Sequence, residues 1–216
     1  AYKQVISNYP GSEEAKIALQ DLKSVYIDLN DINAYASYVN SIGGNIRLEV
    51  GEQDSLTYIA AEKLFMRGDN DGARRSLINY LQTFPEGAFS SNANFYLGSI
   101  AFAKKEFDEA IQRFKSVIAS GDTKFLEESV ARTAEIEYLS KDYPAALESF
   151  KRLQIVAENP ENRQAARLGI MRCALQTGQQ KDALLAADEL LKEPKLSPEL
   201  EAEARYVRAK DYIAQK

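Results

Sequence analysis

Carboxylates are the side chains of this sequence with the most obvious capacity for chemistry. Acids lie close together at Asp108-Glu109, at Glu127-Glu128 and at Glu135 with Glu137. Two neighbouring carboxylates can serve as general acid and general base when their surroundings separate their pKa values. On helices that carry one apolar stripe, such acids more often lie on the solvent-exposed face. We therefore expect these pairs to be non-catalytic.

The residue inventory argues against the other common catalytic sites. The chain has no histidine, which rules out a Ser-His-Asp or Cys-His mechanism within it and a histidine-containing zinc site. Cys173 is the only cysteine, and between Met171 and Ala174 it is expected to be a small packed residue. Residues 42–45 lack the spacing and the following lysine of a phosphate-binding loop. The sequence predicts a chain that is not an enzyme, with no catalytic residue, no metal site and no cofactor.

Charge and hydropathy narrow the range of partners. The 27 basic and 32 acidic residues give a net charge of -5, and the basic residues are scattered among acids, which argues against nucleic-acid binding. No apolar run approaches the roughly 18–20 residues that span a bilayer, and no secretory signal pattern opens the sequence. We predict a protein or peptide partner, no nucleic acid, and no transmembrane segment in this chain.

Five alanines recur along the chain in a similar pattern of apolar and small residues. They are separated by 39, 37, 36 and 37 residues and are Ala34, Ala73, Ala110, Ala146 and Ala183. In the best-formed unit, Phe107, Phe114 and Val117 accompany Ala110 at helical spacing and form one apolar stripe. A period near 34 residues, with a small residue where two helices touch, is typical of tetratricopeptide repeats. The predicted fold class is all-α, a right-handed superhelical solenoid of about twelve helices.

The ends and the breaks in this pattern predict the domain organisation. The pattern of residues 2–9 predicts the last helix of an earlier repeat, and the pattern of residues 203–214 predicts the first helix of a further one. We predict a single tetratricopeptide-like solenoid over residues 1–216 that begins inside a repeat and is an excerpt of a longer protein. A bend or a long ordered loop is expected around residues 43–54, where Gly51-Glu52-Gln53 interrupts the pattern and Asp54-Ser55 starts a helix.

Aromatic residues recur at one position of the repeat. The residues eight positions before the five alanines are Tyr26, Phe65, Phe102, Tyr138 and Leu175, and Tyr58, Phe95 and Tyr206 lie near the same strip of their own helices. In a stacked array of helical hairpins, the first helix of each repeat lines the concave surface. We predict that the seven aromatic residues contact a partner there. If the frame is wrong by one residue, the rings pack between helices instead.

One specialised mode of binding can be compared with the sequence. Clamps for a C-terminal carboxylate need Lys and Asn at set positions on the first helices of successive repeats. The residues at those positions here are Lys23, Glu62, Ser99, Glu135, Arg172 and Lys210. Because acids interrupt the basic set, the sequence favours a mixed hydrophobic and polar groove.

Family resemblance adds a cellular context. Residues 95–98, Phe-Tyr-Leu-Gly, followed by residues 107–111, Phe-Asp-Glu-Ala-Ile, resemble the tetratricopeptide repeats of bacterial cell-envelope proteins. The junctions at residues 9–12 and 84–87 resemble those of the Tol-Pal-associated coordinator and of the outer-membrane assembly lipoprotein. The resemblance implies a periplasmic or outer-membrane-associated scaffold that binds proteins; the alternative is a cytoplasmic one.

Two further hypotheses stay open at this point. The chain could be a helical accessory domain of a larger enzyme whose catalytic part lies outside this segment, as helical solenoids accompany some cell-wall enzymes. It could also self-associate through exposed repeat ends, since an open end of a solenoid presents an apolar stacking surface. The leading prediction is a non-catalytic scaffold that binds a peptide or protein partner in a concave groove.

Overall fold

All regular structure in the described part of the chain is helical. The computed structural model describes residues 1–42, 47–121 and 123–214, and within these ranges it contains twelve helices and no strand. This confirms the predicted all-α class. The chain forms two compact units, Ala1–Ile100 and Ala101–Lys216, and the division falls inside the sixth helix. The single continuous domain over residues 1–216 stays a prediction, and each unit is described by itself.

The first unit contains five helices and most of a sixth. Their bounds are α1 Tyr2–Asn8, α2 Glu13–Asp28, α3 Ile32–Ile42, α4 Val50–Met66, α5 Asn70–Thr83 and α6 Ser90–Ala103. Sequential neighbours pack against each other from α1 to α5, and α2 also packs against α4. Its central core includes Leu77, Tyr80, Leu97 and Ile100, whose side chains are almost fully buried.

The second unit contains the remaining six helices. Their bounds are α7 Phe107–Ser120, α8 Leu126–Leu139, α9 Tyr143–Val156, α10 Pro160–Gln176, α11 Gln180–Leu190 and α12 Pro198–Ala214. Each helix packs against the next in sequence, and α8 also packs against α10. Its core includes Leu147, Leu153, Met171 and Leu190.

One form of turn recurs between the two helices of each hairpin. A residue with positive φ precedes the residue that caps the second helix, and the backbone N–H of that second residue donates to the carbonyl five residues earlier. The five pairs are Asn30-Asp31, Gly68-Asp69, Lys105-Glu106, Lys141-Asp142 and Gly178-Gln179. Three of the capping residues are aspartates whose carboxylates accept a backbone N–H from the first turn of the helix. The turn, therefore, sets the register of each hairpin.

The turns correct the predicted frame of the first repeat. Ala73, Ala110, Ala146 and Ala183 are fully buried, each four residues after its capping residue. In α3 the residue four after Asp31 is Tyr35, which is 2% exposed, whereas Ala34 is only half-buried. The prediction for Ala34 was therefore wrong by one residue, because the alanine lies beside the position that the turn specifies.

The predicted break before the fourth helix also needs correction. Gly51-Glu52-Gln53 lies in the first turn of α4 rather than in a loop, and the helix begins at Val50, before Asp54. Asp54 is buried inside α4, where its carboxylate accepts hydrogen bonds from the Tyr80 hydroxyl at 2.6 Å and from the Ala88 N–H at 2.9 Å. The remainder of the predicted bend, at Gly43-Gly44, lies outside the described residues.

Candidate functional site

A groove lies between α8 and α10 in the second unit, with α9 beneath it. It encloses about 380 Å³, a volume at the lower end of the range for ligand pockets. Its apolar lining consists of Ala131, Tyr138, Leu139, Phe150, Leu153, Ala165, Leu168 and Gly169, and its polar lining consists of Glu128, Arg132, Glu135, Asn162 and Arg172. We call this surface the α8–α10 groove.

The floor of the groove depends on a close approach of two helices. Phe150 on α9 is largely buried, and its ring lies so close to the α10 backbone that a Cβ at position 169 would overlap it. Gly169 leaves the space that the ring occupies. The Tyr138 ring packs edge-on against Phe150, with ring centroids 6.4 Å apart, and against Tyr143 at 5.7 Å. The two rings at the floor are therefore held by packing.

On α8, the charged side chains of the groove form a local ion-pair network. Arg132 Nε donates to Glu128 at 2.8 Å, and Arg132 Nη1 donates to Glu135 at 3.0 Å. The guanidinium carbon of Arg132 also lies 4.9 Å from the centre of the Phe102 ring, a cation–π geometry. These contacts hold Arg132 along the α8 side of the groove.

On α10, Arg172 forms a two-point ion pair with α12. Its Nε and Nη2 donate to the two carboxylate oxygens of Glu203 at 2.8 and 2.7 Å. These hydrogen bonds raise the pKa of Arg172 and lower the pKa of Glu203. The guanidinium is therefore already engaged by a carboxylate of the same chain.

One end of the groove is tied together by Glu127. Its carboxylate accepts the backbone N–H groups of Glu158 at 2.9 Å and Asn159 at 3.1 Å. It also accepts the side-chain amide of Asn162 at 2.7 Å. These three hydrogen bonds join the start of α8 to the start of α10, and so fix the spacing of the two helices that form the groove.

The structure places the seven predicted contact residues in different environments. Tyr138 lines the α8–α10 groove, and Phe102, which is half-buried, lies beneath Arg132 of the same groove. Partner binding at these seven residues stays a prediction.

The rings of the first unit pack mainly against other aromatic side chains. Phe65 and Phe95 are half-buried, with ring centroids 4.6 and 5.7 Å from that of Tyr96. Tyr26 is half-buried beside Tyr35 at 5.8 Å. Since Tyr35 occupies the position that the turn specifies, Tyr26 lies nine residues before it, one more than the eight residues of the other repeats.

Tyr58 and Tyr206 lie at opposite extremes of exposure. Tyr58 is buried, stacks on Phe89 with centroids 4.5 Å apart, and donates its hydroxyl to Glu62 at 2.6 Å. Burial and this hydrogen bond place Tyr58 in the core of the first unit. Tyr206 is 67% exposed on α12.

The groove also contains residues that the sequence did not single out as contacts. Ala131 and Leu168 lie fifteen residues before Ala146 and Ala183 respectively, and Arg132 and Gly169 lie fourteen before. Glu135 and Arg172 are at the clamp positions, eleven before the same alanines. These offsets follow one face of a helix at steps of three and four residues. A search for residues on the same helical face, counted back from the repeated alanines, would have found them.

Other kinds of site are not evident in the described part of the chain. Within residues 1–42, 47–121 and 123–214, no group of three or more Cys, Asp and Glu side chains is arranged to hold a metal ion. In the same ranges no helix is long and apolar enough to cross a membrane. Cys173 is fully buried, and burial raises the pKa of its thiol to about 11.

Comparison with known proteins supports a tetratricopeptide repeat fold. Residues 60–123 match the sequence profile of the tetratricopeptide repeat family. The structure of MamA AMB-1 is similar with a TM-score of 0.57 at 14% identity, over 88% of this chain and 98% of that one. YrrB, described as a TPR protein with an unusual peptide-binding site, is similar with a TM-score of 0.54 at 13% identity, over 95% and 98%. No curated protein sequence matches the chain. The envelope subgroup expected from the junctions stays a prediction.

Proposed function

We propose that this chain is a non-catalytic scaffold that binds a segment of a protein partner in the α8–α10 groove. The observation that carries the proposal is the groove itself, about 380 Å³ with an apolar floor between two helices whose spacing is fixed. A cleft lined mainly by apolar and aromatic side chains, with a few polar groups at its margin, is the usual form of a binding site. The size suits one or two side chains of a peptide.

The packing of the groove supports binding without rearrangement. Tyr138 and Phe150 are held against each other, and Glu127 holds α8 to the start of α10. A site that is already ordered loses less conformational entropy when a partner binds. Burying one large apolar side chain contributes about 1.5–3 kcal/mol. YrrB, which shares the fold, has a peptide-binding site of its own.

We propose the bacterial envelope as the compartment, on the junction resemblance alone. The junction residues also have local structural roles in this fold. Gly11 has a φ of 82°, and a Cβ at Gly87 would overlap the Tyr80 hydroxyl. Fractionation of source cells with an antibody to the chain tests the compartment, and recovery in the cytoplasmic fraction alone would contradict an envelope location.

Selection from a displayed peptide library tests the groove as a binding site. The wild-type chain should enrich a family of related peptides. Leu168→Glu, which places a charge in the groove lining, should reduce binding of those peptides by about tenfold or more. Leu185→Glu is the matched control, because Leu185 is 57% exposed on α11 and does not line the groove.

The control variant decides how a loss of binding is interpreted. Leu185→Glu should bind the selected peptides as the wild type does. Circular dichroism of all three proteins should show the same helix content, and Tyr138→Ala provides a second groove variant if Leu168→Glu does not fold. Failure of the wild type to enrich any peptide family, or equal binding by folded groove variants, would contradict the proposed function.

A further inference from the structure

We propose that the α8–α10 groove selects an uncharged peptide segment anchored by one large aliphatic or aromatic side chain, and that it discriminates against acidic segments. This inference rests on the proposed function and names the chemistry of the partner. It is carried by two features of the groove, the apolar floor and the engagement of both arginines by carboxylates of the same chain.

The arginines of the groove are poorly placed to receive an acidic ligand. Arg172 already uses two N–H groups on the two oxygens of Glu203. Arg132 bonds to Glu128 and Glu135 and rests on the Phe102 ring. The charge of each guanidinium is already offset by these carboxylates, and an incoming carboxylate would approach their negative charges. The lining itself is balanced, with two arginines and two glutamates.

Basic segments also gain little from the acids of the groove. Glu128 and Glu135 have side-chain exposures of 41% and 46% and already pair with Arg132. An ion pair between exposed groups changes an equilibrium constant by at most about fivefold, and salt screens it. Burial of one large apolar side chain changes it by about 10–100-fold. The apolar floor therefore decides which segments bind.

The floor offers apolar surfaces to an anchor side chain. Leu168 on α10 and Ala131 on α8 flank a base formed by Phe150 and Leu153, and the Tyr138 ring stands beside it. Since position 169 has no Cβ, the Phe150 ring lies against the α10 backbone at the base of the groove. An aliphatic side chain can pack on these surfaces, and an aromatic one can add an edge-to-face contact with Tyr138.

Two measurements on the whole chain test this inference. The most enriched peptide of the library selection is synthesised with its anchor intact and with the anchor replaced by Ala or Asp, and binding is followed by fluorescence anisotropy at about 50 and 500 mM NaCl. We expect enriched peptides with an aliphatic or aromatic anchor and no net charge. The Ala replacement should weaken binding at least about tenfold, and salt should change the Kd by less than about threefold.

Glu203→Gln tests the role of the Arg172 pair. Removal of the Glu203 charge leaves the positive charge of Arg172 without its carboxylate partner, so this variant should bind the Asp-containing peptide at least about fivefold more tightly than the wild type does. Glu199→Gln on the same helix is the control and should leave the Asp peptide as weakly bound as before.

The outcomes separate the inference from the proposed function. Enrichment of charged peptides, with binding that falls steeply with salt, would overturn the inference and leave the groove a binding site. An unchanged affinity of Glu203→Gln for the Asp peptide would also overturn it. If the wild type enriches no peptide at all, the proposed function fails with it.

Discussion

Gly169 on α10 and Phe150 on α9 are in direct contact, and a methyl group at position 169 would overlap the ring of Phe150. Both residues line the α8–α10 groove. A glycine within a helix normally lowers stability, by roughly 0.5–1 kcal/mol relative to alanine. Here it allows the two helices to approach closely, and the same contact shapes the floor of the proposed binding site.

Because of this contact, Gly169→Ala should lower the free energy of unfolding, although helix propensity alone predicts an increase. Propensity alone predicts a gain of about 1 kcal/mol, whereas overpacking costs typically about 1–3 kcal/mol. We expect a net decrease in the free energy of unfolding, measured by urea denaturation. Gly51→Ala is the control, because no atom outside its own helix turn lies within 4 Å of the added methyl group.

The double variant Gly169→Ala with Phe150→Leu isolates the overlap. A smaller side chain at position 150 makes room for the methyl group, so the two substitutions should cost less together than the sum of their separate effects. The difference should be at least about 0.5 kcal/mol. Strict additivity would show that the two side chains do not interact.

The buried hydrogen bonds of Tyr80 predict a loss of stability in the first unit. The Tyr80 hydroxyl donates to Asp54 at 2.6 Å and accepts the Phe89 N–H at 3.0 Å. Tyr80→Phe leaves both partners short of a hydrogen bond, and we expect the free energy of unfolding to fall by about 1–3 kcal/mol. The same substitution at Tyr206, which is largely exposed, should change it by less than about 0.5 kcal/mol.

The buried thiol of Cys173 predicts a dependence of stability on alkaline pH. Its pKa is raised from 9.0 to about 11 by desolvation, so the folded state keeps the proton that the unfolded state loses above pH 9. The contribution of the thiol is fully present below pH 9 and is lost as the pH rises toward 11, with a slope of at most about 1.4 kcal/mol per pH unit.

Cys173→Ala separates this effect from other groups that titrate in the same range. The difference in unfolding free energy between wild type and Cys173→Ala should shrink as the pH rises from 9 to 11. The folded wild type should also react with an aromatic disulfide reagent only at the rate at which it unfolds. Rapid modification of the folded protein at pH 8 would show that the thiol is accessible.

The ion pair between Arg172 and Glu203 predicts a dependence on acidic pH. The pKa of Glu203 lies below its ordinary value of 4.5 because Arg172 donates hydrogen bonds to the carboxylate. The stabilisation is present above pH 4.5 and is lost as the pH falls through the lowered pKa. Both side chains are about one-third exposed, so Glu203→Gln should cost only about 0.2–1 kcal/mol at pH 7. The gap between wild type and variant should narrow as the pH falls below 4.5.

The repeat frame could be predicted from sequence wherever a small residue marks the contact between helices. Ala73, Ala110, Ala146 and Ala183 are fully buried as that frame requires. It failed at Tyr35 because the register is set by the turn, in which Asn30 adopts a positive φ and Asp31 caps the next helix. The spacing of capping residues is a better guide to register than the spacing of alanines.

The groove was only partly predictable for a different reason. The position of Tyr138 in the repeat predicts a groove contact, and Glu135 and Arg172 occupy the clamp positions of the repeat. The spacing of Phe150, four residues after Ala146, predicts only a core residue, and its second role at the floor depends on the space left by Gly169. The pairing of Arg172 with Glu203 joins two helices from different repeats, and no spacing within a single repeat contains that information.

The most direct test of the α8–α10 groove is to map, by nuclear magnetic resonance, where the most enriched peptide binds the whole chain. The account predicts that titration shifts the amide signals of Ala131, Leu168 and Gly169, and that Leu168→Glu abolishes these shifts while Leu185→Glu preserves them. Shifts confined to the first unit, or shifts that persist unchanged in a folded Leu168→Glu variant, would contradict it.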